Sequence, residues 1–327
     1  MRAWQVRELG EPSAVLAEVE APTPEPGPGE VRIDVTAAAL NFPDVLLCRG
    51  EYQLKPELPF TPGSEVAGTV SALGDGVEGL ELGERVLAIP ALGHGSYADQ
   101  TVASAATTYA IPDDMDWSAA ASLHITYQTG FVGLHHRGRL LPGETLLVHA
   151  GAGGVGSAAI QLGLAAGAHV LATAGGPEKV EVCRRLGAEL AIDYRAEDFV
   201  DAVKVATDGR GADVVYDSVG GDTFDRSRKC VAWEGRILVV GFTSGRIPEA
   251  PANHVLIKNY AVVGVHWGMY NLLDPERVHE THRRLVDLFA AGKIAPLVSE
   301  EIKGDALGEA LTRLGNRGTW GKVVWRP

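Results

Sequence analysis

The chain has 327 residues, 46% of them hydrophobic and 22% charged, with a net charge of -13 at pH 7. That apolar content excludes a disordered chain, and the length suits about two domains of ordinary size. An acidic field repels phosphate backbones and anionic lipid, so neither nucleic acid nor a membrane surface is an expected partner. Glycine is over-used, at 40 residues without a G-X-Y period, which points to tight turns and close backbone approaches rather than collagen. Cys48, Cys183 and Cys230 stand far apart and suit a reducing compartment better than a disulfide framework. The N-terminus has no apolar signal core, and a cytoplasmic location is expected.

In chain order, residues 1 to about 121 read as β-rich. Runs such as Val31-Arg-Ile-Asp-Val-Thr36 and Glu65-Val-Ala-Gly-Thr-Val70 are separated by Pro and Gly, the pattern of a small barrel. The pattern then changes. Thr145–Ala150, His169–Ala174, Leu190–Asp193, Ala212–Asp217, Arg236–Gly241 and Tyr260–Val265 are apolar strands, most of them separated by helical segments. This predicts an α/β fold with a doubly wound, six-stranded parallel sheet over 122–265. No Asp, Glu, Lys or Arg occurs from Thr145 to Pro177, yet the clustered glycines favour a buried strand, helix and strand over a membrane span. A helix over 275–291, a short strand near Ile294–Val298, a second helix and a strand at Lys322–Trp325 follow. That tail is too short to bury a core, so 266–327 is expected to join residues 1–121.

Gly151-Ala-Gly153-Gly154-Val155-Gly156 is a G-x-G-x-x-G lying between a predicted strand and a predicted helix, the context in which the motif binds a dinucleotide pyrophosphate. The first glycine is expected to allow the turn, the second the approach of the phosphates, and the third the packing of helix on strand. The next strand ends at Gly175 and Gly176 without the acid that usually binds a ribose 2′-hydroxyl, and Lys179 follows. A 2′-phosphate meets no repulsion there and a cation can pair with it, so NADP(H) is favoured.

These segments, with Leu40-Asn-Phe-Pro-Asp44, Arg49-Gly-Glu-Tyr52, Pro62-Gly-Ser-Glu-Val-Ala-Gly68, Asp217-Ser-Val-Gly220 and Gly321-Lys-Val-Val324, resemble the zinc-independent quinone oxidoreductase (ζ-crystallin-like) branch of the medium-chain dehydrogenase/reductase superfamily over nearly the full length. The resemblance implies a GroES-like barrel as the catalytic domain, beside a Rossmann NADP(H)-binding domain. It implies Asn41 and Asp44 beside the nicotinamide and Tyr52 over the pocket, where Tyr52 either donates to the substrate oxygen or anchors its loop. Thr126 would face the nicotinamide, and Tyr194 would lie near the 2′-phosphate. Ser218, Gly241, Phe242, Thr243, Val265 and Trp267 would line the cofactor cleft, and Arg317 would add positive charge. Leu46 stands where relatives often carry a Tyr.

Zinc-dependent relatives carry Cys and His where this chain has Asn41 and Ser64. Neither a carboxamide nor a hydroxyl is a usual zinc ligand, so no metal is expected. Hydride transfer without a Lewis acid needs an acceptor that is already reactive, such as a quinone or an activated alkene. The alternatives are therefore a quinone reductase, a reductase of activated C=C bonds, and a crystallin-like nucleotide-binding protein without turnover. The sixth strand, Tyr260–Val265, lacks the Lys or Pro that blunts an exposed edge, and a homodimer through it is expected.

Overall fold

The computed structural model describes residues 1–327. They form two units, Met1–Ile125 with Pro296–Pro327, and Thr126–Ala295.

In the first unit Glu30–Ala39, Val66–Leu73, Arg85–Pro90 and Gln100–Ala110 pair antiparallel in succession. Gln100–Ala110 then returns to pair with Glu30–Ala39 and closes a small barrel. Along Glu30–Ala39, Val31, Ile33 and Val35 face the core while Asp34 is exposed, the period of two expected of a strand with one wet face. The free end of that strand takes the C-terminal strand Lys322–Arg326, with Ala39 opposite Val324. This register carries Lys322 to the neighbourhood of Asn41. Helix Ala306–Gly315 buries Leu307, Ala310 and Leu311 in the same core as Tyr97 and Trp325. The short tail strand runs Val298–Lys303 rather than Ile294–Val298. Pro296, with no N–H to donate, interrupts the expected segment.

The second unit holds the six-stranded parallel sheet. Its neighbour order is Ala261–Gly264, Val231–Val239, Ala212–Asp217, Thr145–Val148, His169–Ala174, Leu190–Asp193. The first of these in the chain, Thr145–Val148, is central and fully buried. The winding direction reverses between it and Ala212–Asp217, and ligands of such sheets bind at that reversal. The uncharged stretch becomes strand, helix Gly154–Ala165 and strand, and no helix is long and apolar enough to cross a membrane.

The first unit runs to Ile125 rather than 121, and a second boundary differs from the sequence reading by more. Residues 266–295 belong to the second unit, and only 296–327 return to the first. Polar anchors explain this. The Trp267 indole donates to Gln128 Oε1 at 3.3 Å, and Gln128 Nε2 donates to the Val278 carbonyl at 2.9 Å. Gln161 exchanges hydrogen bonds with the Ala295 backbone at 2.6 and 3.0 Å, and the Tyr127 hydroxyl donates to the same carbonyl at 3.0 Å.

Candidate active site

The glycine loop of the second unit follows the central strand. Gly153 is the N-cap of helix Gly154–Ala165, whose first turn has no acid and no side-chain cap, so its leading amides are left for an anion. A Cβ on Gly156 would sit 2.2 Å from the Ala150 carbonyl oxygen, which is the close helix–strand packing expected of the third glycine. A Cβ on Gly153 would meet only that oxygen, at 3.3 Å, leaving the approach open. The turn itself departs from expectation. Its left-handed residue is Ala150, at φ 51°, while Gly151 is small because Ala172 and Cys183 both lie 2.9 Å from where its Cβ would be.

At the end of the next strand, Gly175 and Gly176 lie under the Tyr194–Arg195 corner. A Cβ on Gly175 would fall 2.5 Å from the Tyr194 hydroxyl and 3.0 Å from Arg195 Nε. Asp193, at the end of the third strand, accepts from the Gly176 and Arg195 amides at 3.0 Å each. These bonds hold its carboxyl below the usual range and turn it toward the backbone. Lys179 sits in the first turn of helix Pro177–Arg185. Arg195 was missed from sequence; its signal was its place beside Tyr194, immediately after the third strand.

The remaining second-unit residues are grouped only in part. Thr243 donates to the Ser218 carbonyl from Oγ1 at 3.0 Å and from its amide at 3.2 Å, which sets Gly241–Thr243 against Ser218. Val265 and Thr126 are buried, and Trp267 is 7% exposed with its indole committed to Gln128. Trp267 lies just past the end of the strand, which stops at Gly264. Arg317, in the first unit, is exposed at a left-handed φ of 60° after helix Ala306–Gly315.

In the first unit the structure gathers a polar cluster that the sequence scattered. Asp44 is fully buried and accepts from Ser64 Oγ at 2.5 Å, the Tyr97 hydroxyl at 2.7 Å and the Asn41 amide at 2.9 Å. Burial pushes its pKa up, while these three donors and the Lys322 charge oppose the shift. Burial, then the charge of Asp44, lifts the Tyr97 phenol well above its ordinary value. Lys322 Nζ donates to Asn41 Oδ1 at 2.6 Å and to Glu65 Oε2 at 3.3 Å, and Glu65 Oε1 accepts the Ile125 amide at 2.9 Å. Asp44 therefore braces Ser64, Tyr97 and the Asn41 backbone. Tyr52 is half-buried, its phenol raised by burial and by the Asp44 charge.

With this geometry in hand, likeness to known proteins becomes informative. The model of the alcohol dehydrogenase GroES-like domain matches residues 27–113, and that of the zinc-binding dehydrogenase matches 154–290. The quinone oxidoreductase-like protein 2 homolog of Nematostella vectensis is 40% identical over 325 residues, 99% of this chain and 88% of the relative. The chain belongs to the zinc-independent quinone oxidoreductase branch of the medium-chain dehydrogenase/reductase superfamily. It is an oxidoreductase of that type. The structure of Escherichia coli quinone oxidoreductase complexed with NADPH superposes with a TM-score of 0.93 at 30% identity, covering 100% of both chains. CurK enoyl reductase gives 0.88 at 28% identity, covering 99% of this chain and 98% of its own.

The side chains at the family's zinc positions have other partners in this member of the superfamily. Asn41 Oδ1 receives an ammonium and Ser64 Oγ donates to a carboxylate. No three His, Cys, Asp or Glu side chains converge as a ligand set. Among the histidines, the His124 ring packs tilted against Tyr109, centroids 4.8 Å apart, and the His135 ring against Phe131, centroids 4.4 Å apart.

Proposed function

We propose that the protein is an NADPH-dependent quinone reductase. The observation that carries this reading is the uncapped glycine loop at the sheet reversal, accompanied by a cationic corner where an NAD site would place a free acid. The amides opening helix Gly154–Ala165 would hold the pyrophosphate. Lys179, Tyr194 and Arg195 would take the 2′-phosphate, with Asp193 kept away by its backbone bonds. Thr126, Ser218, Gly241–Thr243 and Val265 would position the rest of the cofactor, and Arg317 would add charge. When bound, NADPH supplies a hydride from nicotinamide C4; the quinone gains that hydride and one proton and leaves as the hydroquinone. Tyr52, raised in pKa, stays protonated at neutral pH and would donate to the acceptor oxygen as negative charge develops there.

Likeness to CurK enoyl reductase supports a second reading, reduction of an activated C=C bond with the same cofactor. NADPH oxidation followed at 340 nm against a panel of quinones, enones and enoyl thioesters decides between them. The expected result is turnover of quinones; turnover of alkenes alone would transfer the assignment to the second reading, and oxidation with no acceptor would remove both.

We also propose a homodimer through the sixth strand. Ala261–Gly264 pairs on one side only, with Val231–Val239, and Val262 is 37% exposed. A second copy laid antiparallel along this edge would satisfy its free amides and carbonyls. Sedimentation should report twice the chain mass, and Val263→Pro should yield monomer; a wild-type monomer at micromolar concentration would end the proposal.

A further inference from the structure

Asn41 stands at the corner between strand Glu30–Ala39 and helix Phe42–Arg49, and parts of the chain far apart in sequence hold its carboxamide. Lys322 Nζ donates to Oδ1 at 2.6 Å. Nδ2 donates to the Ala39 carbonyl at 3.1 Å and to Glu65 Oε2 at 3.2 Å. The network itself decides which atom is which. A reversed amide would press its NH2 against an ammonium and its oxygen against two acceptors. Both amide hydrogens are thus committed, and Oδ1, which already takes Lys322 and faces the Asp44 amide in the capping box of helix Phe42–Arg49, leaves the group able to meet a ligand as an acceptor and not as a donor. The arrangement is rigid because the Lys322 and Glu65 side chains are only 4% and 0% exposed.

We propose that the Lys322–Glu65 pair sets the hydrogen-bond polarity of Asn41, so that this residue meets a bound ligand only as an acceptor. It takes a hydroxyl or N–H donor, and the nicotinamide half of the cofactor offers both, in its ribose hydroxyls and its carboxamide NH2. It does not donate to a carbonyl oxygen that is gaining charge; that task falls to Tyr52. Lys322 and Glu65 are positioning residues, acting through Asn41. This inference rests on the NADPH-reductase reading and refines it, because it separates cofactor orientation from activation of the acceptor.

The test compares the wild type with Asn41→Ala, Lys322→Met/Glu65→Gln and the triple variant. The paired substitution removes both charges together, so no buried carboxylate is left unpartnered. NADPH affinity is read by fluorescence, and kcat and KM with a quinone are read separately. Asn41→Ala should weaken NADPH about tenfold and move the quinone KM less than about twofold. The paired variant should show a similar loss, and adding Asn41→Ala to it should cost nothing more. The reduced 3-acetylpyridine analogue of NADPH, which lacks the NH2, identifies the donor: Asn41→Ala leaves its affinity unchanged if the carboxamide is bound, and weakens it if a ribose hydroxyl is. Asn41→Ala that lowers kcat at unchanged NADPH affinity would make Asn41 a donor to the substrate and overturn the inference. Full additivity in the triple variant would overturn the role of the pair. If the paired variant does not fold, Asn41→Ala with the two cofactors still decides the polarity. Wild-type protein that binds no NADPH would instead defeat the functional reading beneath it.

Discussion

The loop at 150–156 in the second unit and the cluster around Asp44 in the first are built from different materials. The loop offers backbone: glycines, the leading amides of a helix, and no side-chain cap. The cluster offers side chains, with Asn41, Asp44, Ser64, Glu65, Tyr97 and Lys322 joined by hydrogen bonds and all but the half-buried Ser64 buried. Backbone amides carry no net charge and stay available whether or not a ligand is present. Buried ionised groups must satisfy one another, and each lost partner leaves a costly orphan. A backbone site should therefore fail by steric exclusion, and a side-chain site by loss of charge balance.

The largest expected effect separates steric roles within the loop. Gly156→Ala would drive a methyl onto the Ala150 carbonyl, 2.2 Å away. It should lower stability by about 3 kcal/mol and abolish NADPH binding. Gly153→Ala meets only one oxygen, at 3.3 Å; its melting temperature should hold while NADPH affinity drops about tenfold. Thermal melts beside a cofactor titration separate the two. Equal damage to folding from both substitutions would show that the loop is a packing feature alone.

How much of each region could be read from sequence follows from the same contrast. A glycine that makes room for a backbone is conspicuous at its own position, so Gly151–Gly156 and the two glycines at 175 and 176 stood out. A carboxylate that braces three donors is not. Asp44 resembles any acid in the first turn of a helix, and nothing local to it names Tyr97 or Lys322. Lys322 reaches Asn41 because of strand register across 281 residues, which no local pattern reveals. The placement of 266–295 escaped for a related reason, since Gln128 and Gln161 look like surface residues until their backbone partners are known.

Next in size is a pH effect in the second unit. His149 is buried between Thr173 Oγ1 at 2.9 Å and Ser227 Oγ at 2.8 Å. Ser227 donates its proton to the Thr223 carbonyl, so His149 donates from Nε2 and accepts at Nδ1. Burial lowers its pKa from 6.5 to about 4. Above pH 6.5 neither folded nor unfolded chain carries the proton, and the stability is full. Between pH 6.5 and 4 the unfolded chain binds a proton that the folded chain refuses, so stability falls as pH falls, by roughly 3 kcal/mol in all. Asp44, whose raised pKa works in the opposite sense, contributes equally to wild type and variant. Denaturant melts from pH 7 to 4 should show a shallower slope for His149→Asn; identical slopes would place the titration elsewhere.

In the first unit, Tyr97→Phe keeps the ring, which meets Trp325 edge-on at 6.1 Å, and removes one donor from Asp44. A hydrogen bond to a buried carboxylate is worth about 2 kcal/mol, and the melting midpoint should fall accordingly. The further consequence is electrostatic. With one donor fewer, Asp44 becomes easier to protonate, so acid should destabilise the variant less than it does the wild type. A variant as stable as the wild type would show that the cluster does not depend on its full set of donors.

The smallest effect lies at the cationic corner, where solvent screens every charge. Arg195 is exposed and Tyr194 is 44% exposed, so each contact with a 2′-phosphate competes with water and salt. Arg195→Ala should weaken NADPH about tenfold and leave NADH unchanged, because only the phosphate distinguishes the two ligands. Lys179→Ala, in the first turn of helix Pro177–Arg185, should do the same. Raising the salt concentration should narrow the preference of the wild type and have less effect on either variant, each of which has already lost a charged contact. If NADH binds as tightly as NADPH to the wild type, the corner is not a phosphate site. In that case the bonds that Asp193 accepts from the Gly176 and Arg195 amides do no more than brace a turn.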